Sequence, residues 1–260
     1  MLHIFTLTWN GLDKMKRLHE SLIPTLEGID YIWHIKDNGS ADGSKEFLDG
    51  IKSEKIIPYY TGHNKDSFAK GMNYLYAESK AKDSDLILLL NNDIVFGDKE
   101  SIKEMMKLMT DDVGIVGARL LYTDSNLLQH AGVIFSRRYN YLPYHYKHKK
   151  ESDEETEQNR DMQAVTAALA LTRGKEFGNI WTNKDGSRGM DEGFFWCFDD
   201  VDACLSIKYK QNKRVVYCGK TKIYHEESAS LKKNPVNKLM SPHNVGYFRK
   251  KWGGVYKKDD

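Results

Sequence analysis

The stretch Leu86-Ile-Leu-Leu-Leu-Asn-Asn-Asp-Ile-Val-Phe96 constrains this chain more than any other. Five apolar residues in a row, Leu86 to Leu90, suit a strand buried on both faces, as in a mixed or parallel sheet with cover on each side. Asn91, Asn92 and Asp93 stop the run. In open α/β sheets, ligands bind outside the carboxyl ends of the strands. A carboxylate at that place is a hard oxygen donor suited to Mg²⁺ or Mn²⁺ against a diphosphate. The same triplet is also what a plain polar turn looks like, and the residues alone leave both readings open.

The sequence before this run repeats one pattern three times. An apolar stretch at 2–8 breaks at Trp9-Asn10-Gly11, and Leu12, Met15, Leu18 and Leu22 recur at helical spacing until Pro24. Tyr31 to Ile35 reads as a second strand, closing on Asp37-Asn-Gly-Ser-Ala-Asp-Gly-Ser44 and a helix through Phe47 and Leu48. Lys55 to Tyr60 reads as a third, followed by a helix with Met72, Leu75 and Tyr76 inward. Strand, turn and helix in alternation predict a parallel sheet covered by helices, with polar loops collecting at its carboxyl edge.

Beyond Phe96, a helix is expected with Ile102, Met105, Met106 and Met109 on one face, the methionines as core filler. Strands are expected at Val113–Ala118, Val165–Leu171, Arg214–Cys218 and Ile223–His225, and a helix in the tail from Pro235. Residues 137–161 interrupt the pattern. A basic, aromatic half from Arg137 to Lys150 precedes an acidic half from Glu151 to Asp161, without apolar periodicity, and predicts a mobile flap. Interleaved Lys, Arg and Tyr can track a phosphate backbone and stack bases, so a nucleic-acid acceptor stays open beside the plainer reading of a solvated loop.

With 40% hydrophobic and 29% charged residues, the chain can build a core and is not of disordered composition. No apolar run reaches membrane-spanning length, and the first residues read as a strand, not a signal segment. The three cysteines, Cys197, Cys204 and Cys218, have no metal-ligand spacing, which predicts a reduced, cytoplasmic setting. The net charge of +2 selects no partner.

In order, Leu7-Thr-Trp-Asn10, Asp37 to Ser44, Asn64 with Phe68-Ala-Lys-Gly-Met-Asn73, Leu90-Asn-Asn-Asp93, Met190 to Phe195 with Asp199-Asp-Val-Asp202, and His225-Glu-Glu-Ser228 carry a family pattern. The chain resembles the family 2 glycosyltransferases, rhamnosyl- and galactofuranosyl-type enzymes among them, from about Leu2 to Trp252. The resemblance implies the α/β GT-A fold: a Rossmann-like, mixed, mostly parallel sheet flanked by helices. It assigns residues 1–97 to a nucleotide-sugar-binding half and residues 98–232 to an acceptor-binding half. Residues 233–260 are then a helical, basic tail. In three places the chain departs from the pattern. Asn91 takes the first acidic position of the D-x-D motif, Ser206 stands near a usual arginine, and Asn212-Lys213 replaces a turn glycine.

Metal-dependent, inverting transfer from a UDP- or dTDP-sugar to an acceptor hydroxyl, by default of a surface glycan or glycolipid, is what the resemblance implies. Asp93, with His225, would hold Mn²⁺ or Mg²⁺; a structural histidine at a strand end is the alternative for His225. Thr8, Trp9, Asn10, Asn38, Asn73, Asn91 and Asn92 would surround the donor, with Lys70 near its diphosphate. Asp37 would accept the imide N–H of uracil or thymine, or else cap its own turn. Asp200 would be the base and Asp199 its neighbour, although paired acids at a helix start also suit the helix dipole. Asp191 and Glu192 would orient the acceptor, and Trp196 would stack on a sugar ring. A non-catalytic module that binds nucleotide sugar or glycan through the same fold is the rival reading.

Overall fold

The computed structural model describes residues 1–123, 125–195, 197–226 and 236–259, the last with side chains from 242 onward. Strand β1 (Leu2–Thr8) turns at Trp9-Asn10-Gly11 into α1 (Leu12–Leu22), which buries Met15, Leu18 and Leu22 and yields to a 3₁₀ turn containing Pro24. Next come β2 (Tyr31–Asp37), α2 (Ser44–Ile51), β3 (Ile56–Tyr60), α3 (Phe68–Ser79) and β4 (Leu86–Leu90). The Ser67 hydroxyl caps α3 by accepting from the Lys70 N–H at 3.2 Å.

The second part runs β5 (Ile94–Phe96), α4 (Ser101–Lys107), β6 (Val113–Tyr122), β7 (Leu128–His130), β8 (Val133–Ile134), β9 (Tyr144–His145) and β10 (Arg160–Met162). It continues with β11 (Leu169–Arg173), α5 (Gly174–Gly178), β12 (Trp181–Thr182), β13 (Arg188–Gly189), α6 (Asp199–Tyr209), β14 (Arg214–His225) and α7 (Val236–Trp252).

One sheet holds the molecule together, in the order β10-β14-β6-β11-β4-β1-β2-β3, with β5 against β14 and β7 against β6. The β4-β1-β2-β3 block is parallel throughout, and β14 is parallel to β6. Between the blocks lies β11, antiparallel to both β4 and β6. The sheet is therefore mixed and mostly parallel. Side chains alternate across it as the apolar run predicts. Ile87 and Leu89 join the core beneath α3, α5, α6 and α7, while Leu88 and Leu90 join the core beneath α1, α2 and α4. Burial on both faces is why β4 has no polar residue to spare.

Several boundaries differ from the periodicity. The strand expected at 165–171 is β11 at 169–173, so Thr166 and Ala167 are freed to line a cleft. The expected pair at Arg214–Cys218 and Ile223–His225 is one strand, β14, with a register shift between Cys218 and Ile223. Residues 137–161 carry regular pieces: a 3₁₀ turn at Arg137–Tyr139, β9 paired with β8, and the first residues of β10. Asn212 adopts φ 53°, filling in left-handed backbone the place of a turn glycine. Ser206 is fully buried and donates to the Ile180 carbonyl at 2.7 Å. Among the described residues, no helix is long and apolar enough to cross a membrane.

Candidate active site

A cleft of about 1070 Å³ opens at the carboxyl ends of β1 and β4. It is lined by Thr8, Trp9 and Asn10 after β1, by Asn38 after β2, and by Asn91, Asn92 and Asp93 after β4. The far wall brings Thr166, Ala167, Asp199, Asp200 and His225. Ten of the residues expected at the site thus converge on one cavity. Asp37, Lys70, Asn73 and Asp191 do not line it.

The turns that form the floor lock each other. The Asn92 side-chain amide donates to Thr8 Oγ1 at 3.0 Å, and a Cβ at Gly11 would lie 2.7 Å from that same amide. Glycine is needed there so that the β1–α1 turn can rest on the β4 turn. Asn10 accepts from the Ala41 N–H at 2.8 Å, tying the first turn to the loop after β2. Trp9 remains 46% exposed at the lip, a free aromatic face.

Asp93 lines the cleft beside the turns that follow β1 and β4. Its Oδ1 is 3.0 Å from His225 Nε2 and its Oδ2 is 3.2 Å from Lys14 Nζ. Burial pushes the Asp93 carboxyl up, but His225 and Lys14 outweigh it and hold the group below the ordinary 3.8. His225 Nδ1 lies against Gln129 Oε1. With its proton on Nδ1, the ring offers Nε2 as a donor atom beside Asp93 Oδ1. Two cis donors on an octahedral ion with bonds of ~2.1 Å stand about 3.0 Å apart, so the pair fits a divalent cation. No cluster of three or more His, Cys, Asp or Glu able to hold a metal occurs among the described residues.

Across the cleft, Phe198 takes φ 68°, a left-handed conformation that costs a non-glycine residue about 1–3 kcal/mol. It turns the chain into α6 so that the first two residues, Asp199 and Asp200, both face the cleft. Asp200 accepts from the Val201 N–H at 2.8 Å and the Ala167 N–H at 3.4 Å, with a further bond to the Thr166 side chain. Asp199 accepts from the Asp200 N–H at 3.1 Å, while its buried Oδ2 has no hydrogen-bond partner among the described residues. Burial, then the Asp200 charge, pushes Asp199 up to about 7; burial raises Asp200 as well. The donors around Asp200 favour its anion, so the proton the pair retains resides on Asp199.

The four residues outside the cleft have other partners. Asp37 accepts at Oδ1 from the Ser40 N–H and hydroxyl, at 3.0 and 2.6 Å, closing its own turn. Lys70 is 57% exposed and pairs with Asp66 at 3.1 Å. The Asn73 side chain holds the 190–192 segment, accepting from the Met190 N–H at 2.7 Å and donating to its carbonyl and to Glu192 at 2.9 Å each. Asp191 is 2% exposed and is gripped from α7 by Lys251 at 2.6 Å and the Tyr247 hydroxyl at 2.9 Å. Trp196 lies outside the described residues.

Periodicity gave no signal for the supporting residues. Lys14 is a polar position on a helix known only by its apolar face, and Gln129 lies on β7, which the periodicity did not indicate. Asn244 on α7 donates to the Phe195 and Cys197 carbonyls at 2.6 and 3.2 Å, bracing the loop before the acidic pair. The basic stretch, in turn, is partly tied into the fold. Lys147 pairs with Asp153 and Glu155 at 2.6 Å each, and Tyr139 stacks on Tyr144 at 3.6 Å.

A family model described as glycosyl transferase family 2 matches residues 4–171. No curated protein matches the chain significantly. Among solved structures, GalNAc-T7 with UDP, GalNAc and Mn²⁺ is similar at TM-score 0.66 and 10% identity, over 88% of this chain and 44% of that one. The mannosyltransferase PcManGT from Pyrobaculum calidifontis, in complex with GDP-Man and Mn²⁺, gives 0.62 and 12%, over 96% and 63%. S. aureus TarS 1–349 with UDP-GlcNAc gives 0.55 and 12%, over 88% and 59%. The chain spans less than two thirds of each of these three, and at such identities the likeness shows the fold alone.

Proposed function

This chain belongs to glycosyl transferase family 2, and from that premise we propose that it moves a sugar from a UDP- or dTDP-sugar to an acceptor hydroxyl with inversion. The observation that carries the reading is the placement of two acidic centres on opposite walls of one cleft: Asp93 with His225, and Asp199 with Asp200. Residues 1–97 would hold the donor, residues 98–232 the acceptor, and 233–260 would brace the acceptor side through α7. A surface glycan or glycolipid is the proposed acceptor. Neighbours holding Mn²⁺ beside a nucleotide or nucleotide sugar support a divalent cation in this role.

Asp93 and His225 would hold Mn²⁺ or Mg²⁺, which when bound offsets the charge developing on the leaving diphosphate. Thr8, Trp9, Asn10, Asn38, Asn91 and Asn92 bind and orient the nucleotide. The exposed Trp9 ring is placed to stack on the base. Asp200, kept anionic by its backbone donors, takes the proton from the acceptor hydroxyl as that oxygen attacks the anomeric carbon from the side opposite the diphosphate. Asp199, carrying its own proton, does not compete for it.

A thermal-shift screen of nucleotide sugars with Mn²⁺ selects the donor, since a ligand at ~100 times its Kd adds roughly 2.7 kcal/mol. With that donor, Asp200→Asn should lower transfer, or donor hydrolysis, by about 10²–10⁴-fold while nucleotide affinity stays level. Asp93→Ala should instead remove the Mn²⁺-dependent part of nucleotide binding. Loss of turnover in Asp199→Asn with activity kept in Asp200→Asn would reverse the assignment of the base.

A further inference from the structure

We propose that Lys14 is the resident counter-ion of the Asp93 carboxylate and passes to the donor's diphosphate when a divalent cation takes its place. Cation and nucleotide diphosphate then bind synergistically through this one side chain. The inference rests on the reading of Asp93 and His225 as cation ligands.

Packing fixes where Lys14 points. Met15, Leu18 and Leu22 bury one face of α1, which sets the rotation of the helix, and Lys14 lines the cleft beside Gly11, Asn92 and Asp93. Its ammonium stands 3.2 Å from Asp93 Oδ2 and makes no other hydrogen bond or ion pair among the described residues. Both side chains are mostly buried, at 18% and 12% exposure. One turn along the helix, Arg17 already pairs with Glu226, so it does not compensate for either group.

The charge arithmetic follows. With Lys14 on Oδ2, the single negative charge of Asp93 is neutralised before any cation arrives. A cation approaching Oδ1 and His225 Nε2 meets an ammonium across the same carboxylate and must share or displace it. A diphosphate supplies the ammonium with a better partner, and the flexible four-carbon stem lets it move. Each ligand thus removes what opposes the other, and by linkage the gain is the same whichever binds first.

The test titrates Mn²⁺ calorimetrically, alone and with UDP, and repeats the series with inorganic pyrophosphate as a base-independent probe. The parent protein is expected to bind Mn²⁺ about 5-fold or more tighter once either anion is present. Lys14→Met should bind Mn²⁺ alone more tightly than the parent and lose most of that coupling, whereas Lys14→Arg should keep it. Melting curves of each variant check folding. Coupling unchanged in Lys14→Met would overturn the proposal and leave Lys14 a structural ion pair. An Asp93→Asn variant separates the premise: Mn²⁺ binding undiminished in it would remove the cation reading itself, and loss of Mn²⁺ binding would uphold it whatever Lys14 does.

Discussion

Asp199 carries a buried carboxylate oxygen with no partner among the described residues, one residue from an acid that has several. Its carboxyl is raised from 3.8 to about 7, so between those values the folded protein keeps a proton that the unfolded chain has released. Stability from this group is therefore full below pH 4 and lost as the pH rises towards 7. Asp199→Asn, which cannot ionise, should melt higher than the parent at pH 8 and gain much less, or nothing, at pH 4; calorimetry at both values reads the difference. An equal change in melting temperature at both would mean that Asp199 ionises normally. At this scale the sequence was informative about identity and poor about partners. Asp93 could be picked out because it ends a wholly apolar run, and Asp199 and His225 because they stand in a family pattern. That Asp37 would spend an oxygen on Ser40, or Asp191 be gripped by Lys251, depends on contacts between elements and leaves no local mark.

Helix α7 is the element that braces the segments carrying Asp191, Phe195 and Asp202. Lys251 pairs with Asp191 at 2.6 Å and Asp202 at 2.8 Å, Trp252 donates to Asp202 at 2.6 Å, and Asn244 braces the loop at 195–197. Both carboxylates are nearly fully buried, so removing their cation leaves charge without compensation. Lys251→Met should cost about 3–5 kcal/mol, read as a lower urea midpoint with an unchanged slope. A loss under 1 kcal/mol would show that the pairs are solvent-screened. The sequence suggests a helix in this tail, yet Pro242 lies inside it and its basic residues look like a solvated face. Only the docked helix reveals that one of those lysines serves two buried acids. The β14 strand is the converse case: its two apolar runs were legible, but continuity across the register shift was not.

At the scale of the whole molecule, the balance of charge decides the partner. The acidic half of 137–161 folds back on the basic half through Lys147–Asp153 and Lys147–Glu155, while Arg160–Glu155 ties the acidic half to itself. With Lys147 spent on two carboxylates and a net charge of only +2, the protein should pass through immobilised DNA near physiological salt without retention. Retention that falls steeply with salt would restore the nucleic-acid acceptor. The alternation of strands and helices was readable because it is local, whereas the antiparallel β11 between two parallel blocks was not, since its partners β4 and β6 lie far away in sequence. The same separation has a temporal side. Asn91 and His225, neighbours in the cleft, are 134 positions apart, and His225 ends a strand that must find β6 and β5. During synthesis the Asn91–Asp93 turn exists long before its histidine leaves the ribosome, and long-range pairings of this kind form late. A nascent chain therefore passes most of its translation before Asp93 and His225 can meet, and the cleft is completed by a strand made late.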